Sequence, residues 1–223
     1  MKNKLFLTMT FLAAAATMFV ACEKDDDNEP EVVDLGLPSG TLWAKTNLGA
    51  KKAWDYGDYY AWGETKPKTD YRWETYKYCN GDYDKFTKYN TDADYGTVDN
   101  KMELDVEDDA AYMNWGPEWR MPTLNQIGEL CDNCTIQWTT RNGLNGWLFT
   151  GFNGNTLFLP ATGYYWDSTL IAEGSRGYFW SVSLLSVIPD NAIAMGIFSD
   201  GVDKYSSNYR SIGMTVRAVR AQE

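Results

Sequence analysis

The chain has 223 residues, with 20 lysines and arginines against 31 aspartates and glutamates, and it has no histidine. Without imidazole, Ser-His-Asp catalysis, Cys-His catalysis and histidine-ligated zinc are excluded. The formal net charge of −11 disfavours nucleic acid and anionic lipid surfaces as partners, because both repel an acidic protein.

Residues 1–21 have the pattern of a signal peptide. Two lysines precede an apolar run over residues 5–20, which is shorter than the roughly 20 residues that a transmembrane helix needs. The run ends in Phe19-Val20-Ala21-Cys22, which resembles the recognition site of lipoprotein signal peptidase. We therefore predict cleavage before Cys22 and attachment of acyl chains such as palmitate; an ordinary signal peptide with an incidental cysteine is the alternative.

Residues 22–31 are acidic, and this composition predicts a solvated tether. The segment is similar to the acidic export tag of some Gram-negative surface lipoproteins. Removal of residues 1–21 takes away two lysines and no acid, which lowers the formal net charge from −11 to −13. The expected location is the outer membrane at the cell surface, with the lipid as the only contact to the membrane.

Residues 32–221 are long enough for one domain with a sizeable core. A strand is predicted between Gly40 and Gly49, where apolar residues alternate. Residues 54–100 lack a helical period and are rich in Tyr, Trp, Asp and Gly, which predicts a long irregular region held in place by aromatic side chains such as Trp62 and Trp73.

Two helices are predicted next in the chain. The first covers residues 105–117, begins with acidic residues and stops at a Gly-Pro pair. The second begins at Thr123, which can form a capping box with Gln126. Its buried stripe is predicted to comprise Leu124, Ile127, Leu130 and Cys131.

Short strands separated by Asn-Gly and Asp-Gly turn pairs follow the second helix. Two early helices and a mostly antiparallel sheet late in the chain predict an α+β domain. The predicted strands lie near residues 136–140, 147–151, 156–159, 192–198 and 213–219.

Three cysteines follow Cys22, so at least one thiol is expected to stay free or to pair between chains. Cys131 and Cys134 form a C-x-x-C, which a redox pair or half of a zinc site would also use. No second pair and no histidine complete a metal site, so we favour a structural role at the end of the second helix. Cys79 is the third.

Four segments, in this order, resemble the Fibrobacter succinogenes major paralogous domain family, and the similarity covers nearly all of residues 33–219. The resemblance implies a C-type-lectin-like fold, related in architecture to the formylglycine-generating enzyme. It also implies that the first and last strands, around Leu42 and Val216, pair at the base of the domain. The segments are Val33-Asp34-Leu35-Gly36-Leu37-Pro38-Ser39-Gly40-Thr41-Leu42-Trp43-Ala44, Trp119-Arg120-Met121-Pro122-Thr123, Leu157-Phe158-Leu159-Pro160-Ala161 and Ser211-Ile212-Gly213-Met214-Thr215-Val216-Arg217.

Neither metal nor cofactor is predicted. Sugar-binding lectins of this fold ligate calcium through two oxygen-rich motifs, and Ile188-Pro189-Asp190 and Phe179-Trp180-Ser181 lack several of these oxygens. Asp92, Asp94, Asp99 and Asn100 lack the terminal bidentate Glu of an EF-hand in register, which favours a polar loop. The adjacent Asp108 and Asp109 are assigned to a helix N-terminus. Formylglycine-type oxidases need cysteines late in the fold, whereas residues 135–223 contain none.

The segment 178–212 mixes aromatic residues with small polar ones, as recognition surfaces do. Trp180 is expected in the core, while Tyr178 and Arg210 belong to the candidate surface. We expect loops here that bind a ligand, opposite the base of the domain. The predicted ligand-binding residues are Asp203, Tyr205, Asn208 and Tyr209.

The sequence therefore predicts a non-catalytic binding module for a glycan or a protein, anchored at the cell surface. A structural or adhesive envelope protein is the alternative, and an oxidase similar to the formylglycine-generating enzyme is a distant third. The segment 178–212 also resembles the variable region of C-type-lectin-like receptors that retroelements diversify, which is a further alternative.

Overall fold

A computed structural model describes residues 30–220, which form an α+β arrangement with two helices and several mostly antiparallel sheets. The signal peptide and the lipidation site at Cys22 lie outside these residues. The helices are α1 (Ala110–Trp115) and α2 (Leu124–Asn133). The strands are β1 (Val32–Asp34), β2 (Leu42–Ala44), β3 (Thr135–Arg141), β4 (Leu144–Thr150), β5 (Thr156–Pro160), β6 (Tyr164–Trp166), β7 (Thr169–Ile171), β8 (Arg176–Leu184), β9 (Asn191–Phe198), β10 (Gly201–Tyr209) and β11 (Val219–Arg220).

The first and last strands of the described chain meet in one sheet, with the order β1-β2-β11. Leu42 lies opposite Arg220, and Trp43 lies opposite Val219. Farther from β11, the amide of Leu48 donates a hydrogen bond of 2.9 Å to the carbonyl of Val216. The predicted pairing of the two ends of the domain is confirmed, although β2 is shorter than the strand expected between Gly40 and Gly49.

Both predicted helices are present. Asp109 caps α1 by accepting hydrogen bonds from the next amides, so this helix begins later than predicted. The capping box of Thr123 and Gln126 starts α2 as expected, because both of its reciprocal hydrogen bonds form. On the core side of α2, Ile127 and Leu130 are buried, whereas Leu124 and Cys131 are half-buried.

Residues 178–212 do not form the predicted loops, because most of them belong to an antiparallel sheet with the order β10-β9-β8. Phe179 and Met195 face the core cluster around α2, whereas Trp180 and Ala194 face a second, larger cluster. Both faces of β8 and β9 are therefore covered. A strand covered on both faces has a continuous apolar sequence instead of an alternating one, so the period-two pattern does not reveal β8.

Residues 54–100 are irregular, as predicted, apart from the 3₁₀ turns Trp73–Thr75 and Ala93–Tyr95. Aromatic side chains from this stretch fill the larger core cluster. The fully buried Arg210 lies among them, with its guanidinium 4.3 Å from the ring centroid of Phe86. Arg210 therefore belongs to the core, and the expectation that it faces a ligand is wrong.

Candidate functional site

The four predicted ligand-binding residues all lie on β10, which is an edge strand of the β8–β10 sheet. Tyr205 and Tyr209 are 58% and 41% exposed. The carboxylate of Asp203 accepts a hydrogen bond of 2.9 Å from the amide of Tyr205. The side-chain amide of Asn208 donates one of 3.3 Å to the hydroxyl of Ser206.

The structure places the two tyrosines in different surroundings. Tyr205 lies over α2, with its hydroxyl 3.8 Å from the position that a Cβ on Gly128 would occupy. The ring centroid of Tyr209 instead lies 5.9 Å from that of Trp73 and 6.0 Å from that of Trp166. Four residues along a strand span roughly 13 Å. The two rings therefore do not form one contact surface.

Tyr209, Trp73 and Trp166 line a surface cleft of about 340 Å³, which we call the aromatic cleft. Its buried residues form the floor, and its exposed charged residues form the rim. Of the four residues predicted from the sequence, Tyr209 alone lines this cleft. The complete lining is Tyr71, Arg72, Trp73, Glu74, Trp166, Asp167, Tyr209, Ser211 and Ile212.

The tip of the β6–β7 hairpin supplies one wall of the aromatic cleft. Trp166 pairs with Thr169, so the turn between the strands has two residues. Asp167 adopts a φ of 55° in this turn, a left-handed conformation that aspartate tolerates. Its carbonyl accepts a hydrogen bond of 2.9 Å from the amide of Tyr71, which fixes the hairpin to the segment that carries Trp73.

Tyr71 makes the floor rigid. Its hydroxyl donates a hydrogen bond of 2.7 Å to the carbonyl of Tyr59. Its ring stacks on Tyr165, with the centroids 5.4 Å apart and an angle of 27° between the ring planes. Burial raises the pKa of Tyr71 to about 12, so the phenol is neutral at physiological pH. The floor of the cleft is therefore fixed by contacts within the protein.

The charges at the rim are unbalanced. Arg72 donates from Nε to Oδ1 of Asp70 at 3.0 Å and from Nη2 to Oδ2 at 2.6 Å. These hydrogen bonds lower the pKa of Asp70 to about 2. The same contact raises the pKa of Arg72, and the nearby charges of Glu74 and Asp167 raise it further. The charged residues of the lining, Arg72, Glu74 and Asp167, thus carry a formal charge of −1, and Arg72 is already paired with Asp70 beside the cleft.

The adjacent carboxylates Asp108 and Asp109 make separate structural contacts. Asp109 caps α1 and also accepts a hydrogen bond of 2.9 Å from the amide of Met121. Asp108, assigned above to the same helix N-terminus, instead forms ion pairs with Lys77 at 2.9 Å and with Lys88 at 2.6 Å. Burial alone would raise the pKa of Asp108. Side-chain hydrogen bonds from Lys88, Tyr78, Tyr89 and Lys77 outweigh this effect and lower the pKa below its usual value.

The cysteines Cys79, Cys131 and Cys134 are free thiols in the structure. Burial raises the pKa of Cys131 to about 12 and that of Cys134 to about 11. Both pack against the core cluster that contains Ile127, in keeping with the structural role predicted for the C-x-x-C. Thiols with such pKa values are poor nucleophiles at neutral pH.

Over residues 30–220, no three acidic or cysteine side chains converge as the ligands of a metal ion would. None of the helices in this range has the length and apolar character needed to cross a membrane. Comparisons of the chain with protein-family models, with curated proteins and with solved structures gave no significant match.

Proposed function

We propose that this protein is a non-catalytic, glycan-binding module, anchored by a lipid on Cys22 to the outer membrane and displayed at the cell surface. The ligand occupies the aromatic cleft. The observation that carries this proposal is the convergence of Trp73, Trp166 and Tyr209, from three separate parts of the chain, on one cleft of about 340 Å³.

The chemistry of the cleft suits a sugar ring. The apolar C–H faces of a sugar pack on aromatic rings, and its hydroxyl groups form hydrogen bonds to charged and polar side chains. Binding pockets combine an apolar, aromatic lining with a few orienting polar groups in this way. Trp166 and Tyr209 are 44% and 41% exposed, so each ring has a face available to a ligand.

A binding role fits the cleft better than catalysis does. A carboxylic acid that donates a proton at neutral pH is usually held in an apolar, buried environment. Glu74 and Asp167, in contrast, lie exposed at the rim.

The fold and the anchor belong to the same proposal. We infer a C-type-lectin-like domain of the Fibrobacter succinogenes major paralogous family, and two features support this. The strand β2, near the start of the described residues, pairs with the last strand β11, and both helices precede the β8–β10 sheet. The sequence of residues 1–31, with its apolar run before Cys22 and its acidic tether, supports the anchor.

A glycan array tests this function with the mature protein and two variants. Trp166→Ala removes one wall of the cleft and should weaken binding about tenfold or more, as the loss of an aromatic contact does. Phe152→Ala is the control, because Phe152 is 82% exposed and lies in the β4–β5 turn. Binding that survives Trp166→Ala unchanged, or no glycan bound by the wild type, contradicts the proposal.

A further inference from the structure

We infer that the aromatic cleft selects a sugar that carries a positively charged amino group over its neutral N-acetylated form and over acidic sugars. This inference rests on the proposed glycan-binding function and adds the chemical class of the ligand. It follows from the charges at the rim of the cleft and from the arrangement of its rings.

The rim offers more negative charge than its own cation can neutralise. Arg72 directs two of its nitrogens at Asp70 and is therefore already paired. The carboxylates of Glu74 and Asp167 have no hydrogen-bond partner among residues 30–220. An ionised carboxylate only accepts hydrogen bonds, whereas an ammonium group only donates them. A bound amino group therefore provides charged donors that these two carboxylates do not obtain from the described protein residues.

The three rings suit a cation as well as a sugar face. The plane of Tyr209 makes an angle of 71° with that of Trp73 and of 56° with that of Trp166. Tyr209 is therefore coplanar with neither ring, and the partly exposed rings of Trp166 and Tyr209 border the cleft instead of forming one flat platform. A cation near the faces of Trp and Tyr is attracted to their π electrons, and Trp is the strongest partner.

The same charges disfavour acidic sugars. A uronate or a sialic acid would enter a rim with a formal charge of −1 on a protein with a formal charge of −11. Arg72 is the one cation in the lining, and Asp70 already holds it. Repulsion therefore acts both at the cleft and during the approach of the ligand.

Calorimetric titration of the mature protein tests this selectivity with a matched pair of ligands. The probes are a β-linked glucosamine tetramer and its fully N-acetylated form, at about pH 6, where amines are protonated. We expect the glucosamine tetramer to bind about tenfold more tightly at low salt. The difference should shrink between about 0.02 M and 0.5 M salt, because salt screens the exposed carboxylates.

Two variants separate this inference from the function on which it rests. The double variant Glu74→Gln with Asp167→Asn keeps the shape of both side chains and should abolish the preference while the neutral tetramer still binds. Trp166→Ala should weaken the binding of both tetramers. Equal or tighter binding of the neutral tetramer, or a preference that survives the double variant, overturns the selectivity alone. If the wild type binds neither tetramer, the selectivity is wrong, and the glycan array decides separately whether the glycan-binding function is wrong as well.

Discussion

Arg210 organises the irregular region of residues 54–100, although it is a charged residue with no exposed surface. Its Nη1 donates to the carbonyls of Tyr89 and Pro189, at 2.9 and 3.0 Å, and its Nη2 donates to that of Lys88 at 3.0 Å. Its Nε donates to the hydroxyl of Tyr76 at 3.0 Å. These bonds satisfy carbonyl groups that a chain without regular structure would otherwise bury unpaired. They also fix the backbone beside Tyr209.

Replacement of Arg210 by methionine should therefore destabilise the whole domain. Several buried acceptors lose their donor, which costs about 3 kcal/mol or more in the free energy of unfolding. Urea denaturation followed by circular dichroism measures this change. Arg141→Met is the matched control, because Arg141 is exposed on β3 and its loss should change the free energy by less than about 0.5 kcal/mol. Equal stability of the two variants would contradict the role of Arg210.

At the scale of elements, the position of β10 at the edge of its sheet explains why its sequence resembles that of a recognition surface. It is an edge strand, and such strands avoid pairing with other chains through polar residues, charges and bulges. Lys204 lies within a bulge between Asp203 and Ser206, and it forms an ion pair of 2.6 Å with Asp132 of α2. Much of the polar composition of β10 therefore has a structural reason that is independent of any ligand.

The two tyrosines of β10 consequently should behave differently. Tyr209→Ala removes a ring from the aromatic cleft and should weaken binding of the glucosamine tetramer by about tenfold. Tyr205→Ala should leave the affinity unchanged, because Tyr205 lies over α2 and outside the cleft. Calorimetry with each single variant measures both values. Loss of affinity in Tyr205→Ala would instead favour the face predicted from the sequence, with Asp203, Tyr205, Asn208 and Tyr209 acting together.

Local signals in the sequence predicted some elements and missed others. The start of α2 was predictable because a capping box joins residues only three positions apart, Thr123 and Gln126. β8 was not predictable because it is buried on both faces, so its sequence lacks the alternation of apolar and polar residues that marks a half-buried strand. Trp73, Trp166 and Tyr209 meet only through tertiary packing, so no local pattern reveals the aromatic cleft. The exposure of Trp166 beside its two-residue turn likewise becomes visible only in the structure.

At the scale of the whole molecule, buried phenols make the fold sensitive to alkali. Burial raises the pKa of Tyr71 to about 12, and it also raises the pKa values of Tyr59 and Tyr60. A phenol whose pKa is raised by folding keeps its proton to a higher pH in the folded state than in the unfolded chain. Its contribution to stability is complete below the unfolded value of about 10 and is lost as the pH rises through the folded value.

The free energy of unfolding should therefore be level up to about pH 8, begin to fall as the thiols of Cys131 and Cys134 ionise in the unfolded chain, and fall steeply above about pH 10 as the phenols do so. Urea denaturation at a series of pH values measures this dependence. Tyr71→Phe should reduce the slope above about pH 10, because it removes one of these phenols. It should also lower stability at neutral pH by about 1 kcal/mol through the lost hydrogen bond to Tyr59. A stability that is unchanged up to about pH 12 would show that the phenols ionise in the folded state.

The central claim is that the aromatic cleft is the ligand site, and the indole N–H resonances of the ten tryptophans test it most directly. NMR spectra are recorded as the glucosamine tetramer is added to the mature protein. The account predicts that the resonances of Trp73 and Trp166 shift, whereas those of Trp138 and Trp147, which pack together on β3 and β4, do not. Shifts at Trp138 and Trp147 with none at Trp166 would contradict it.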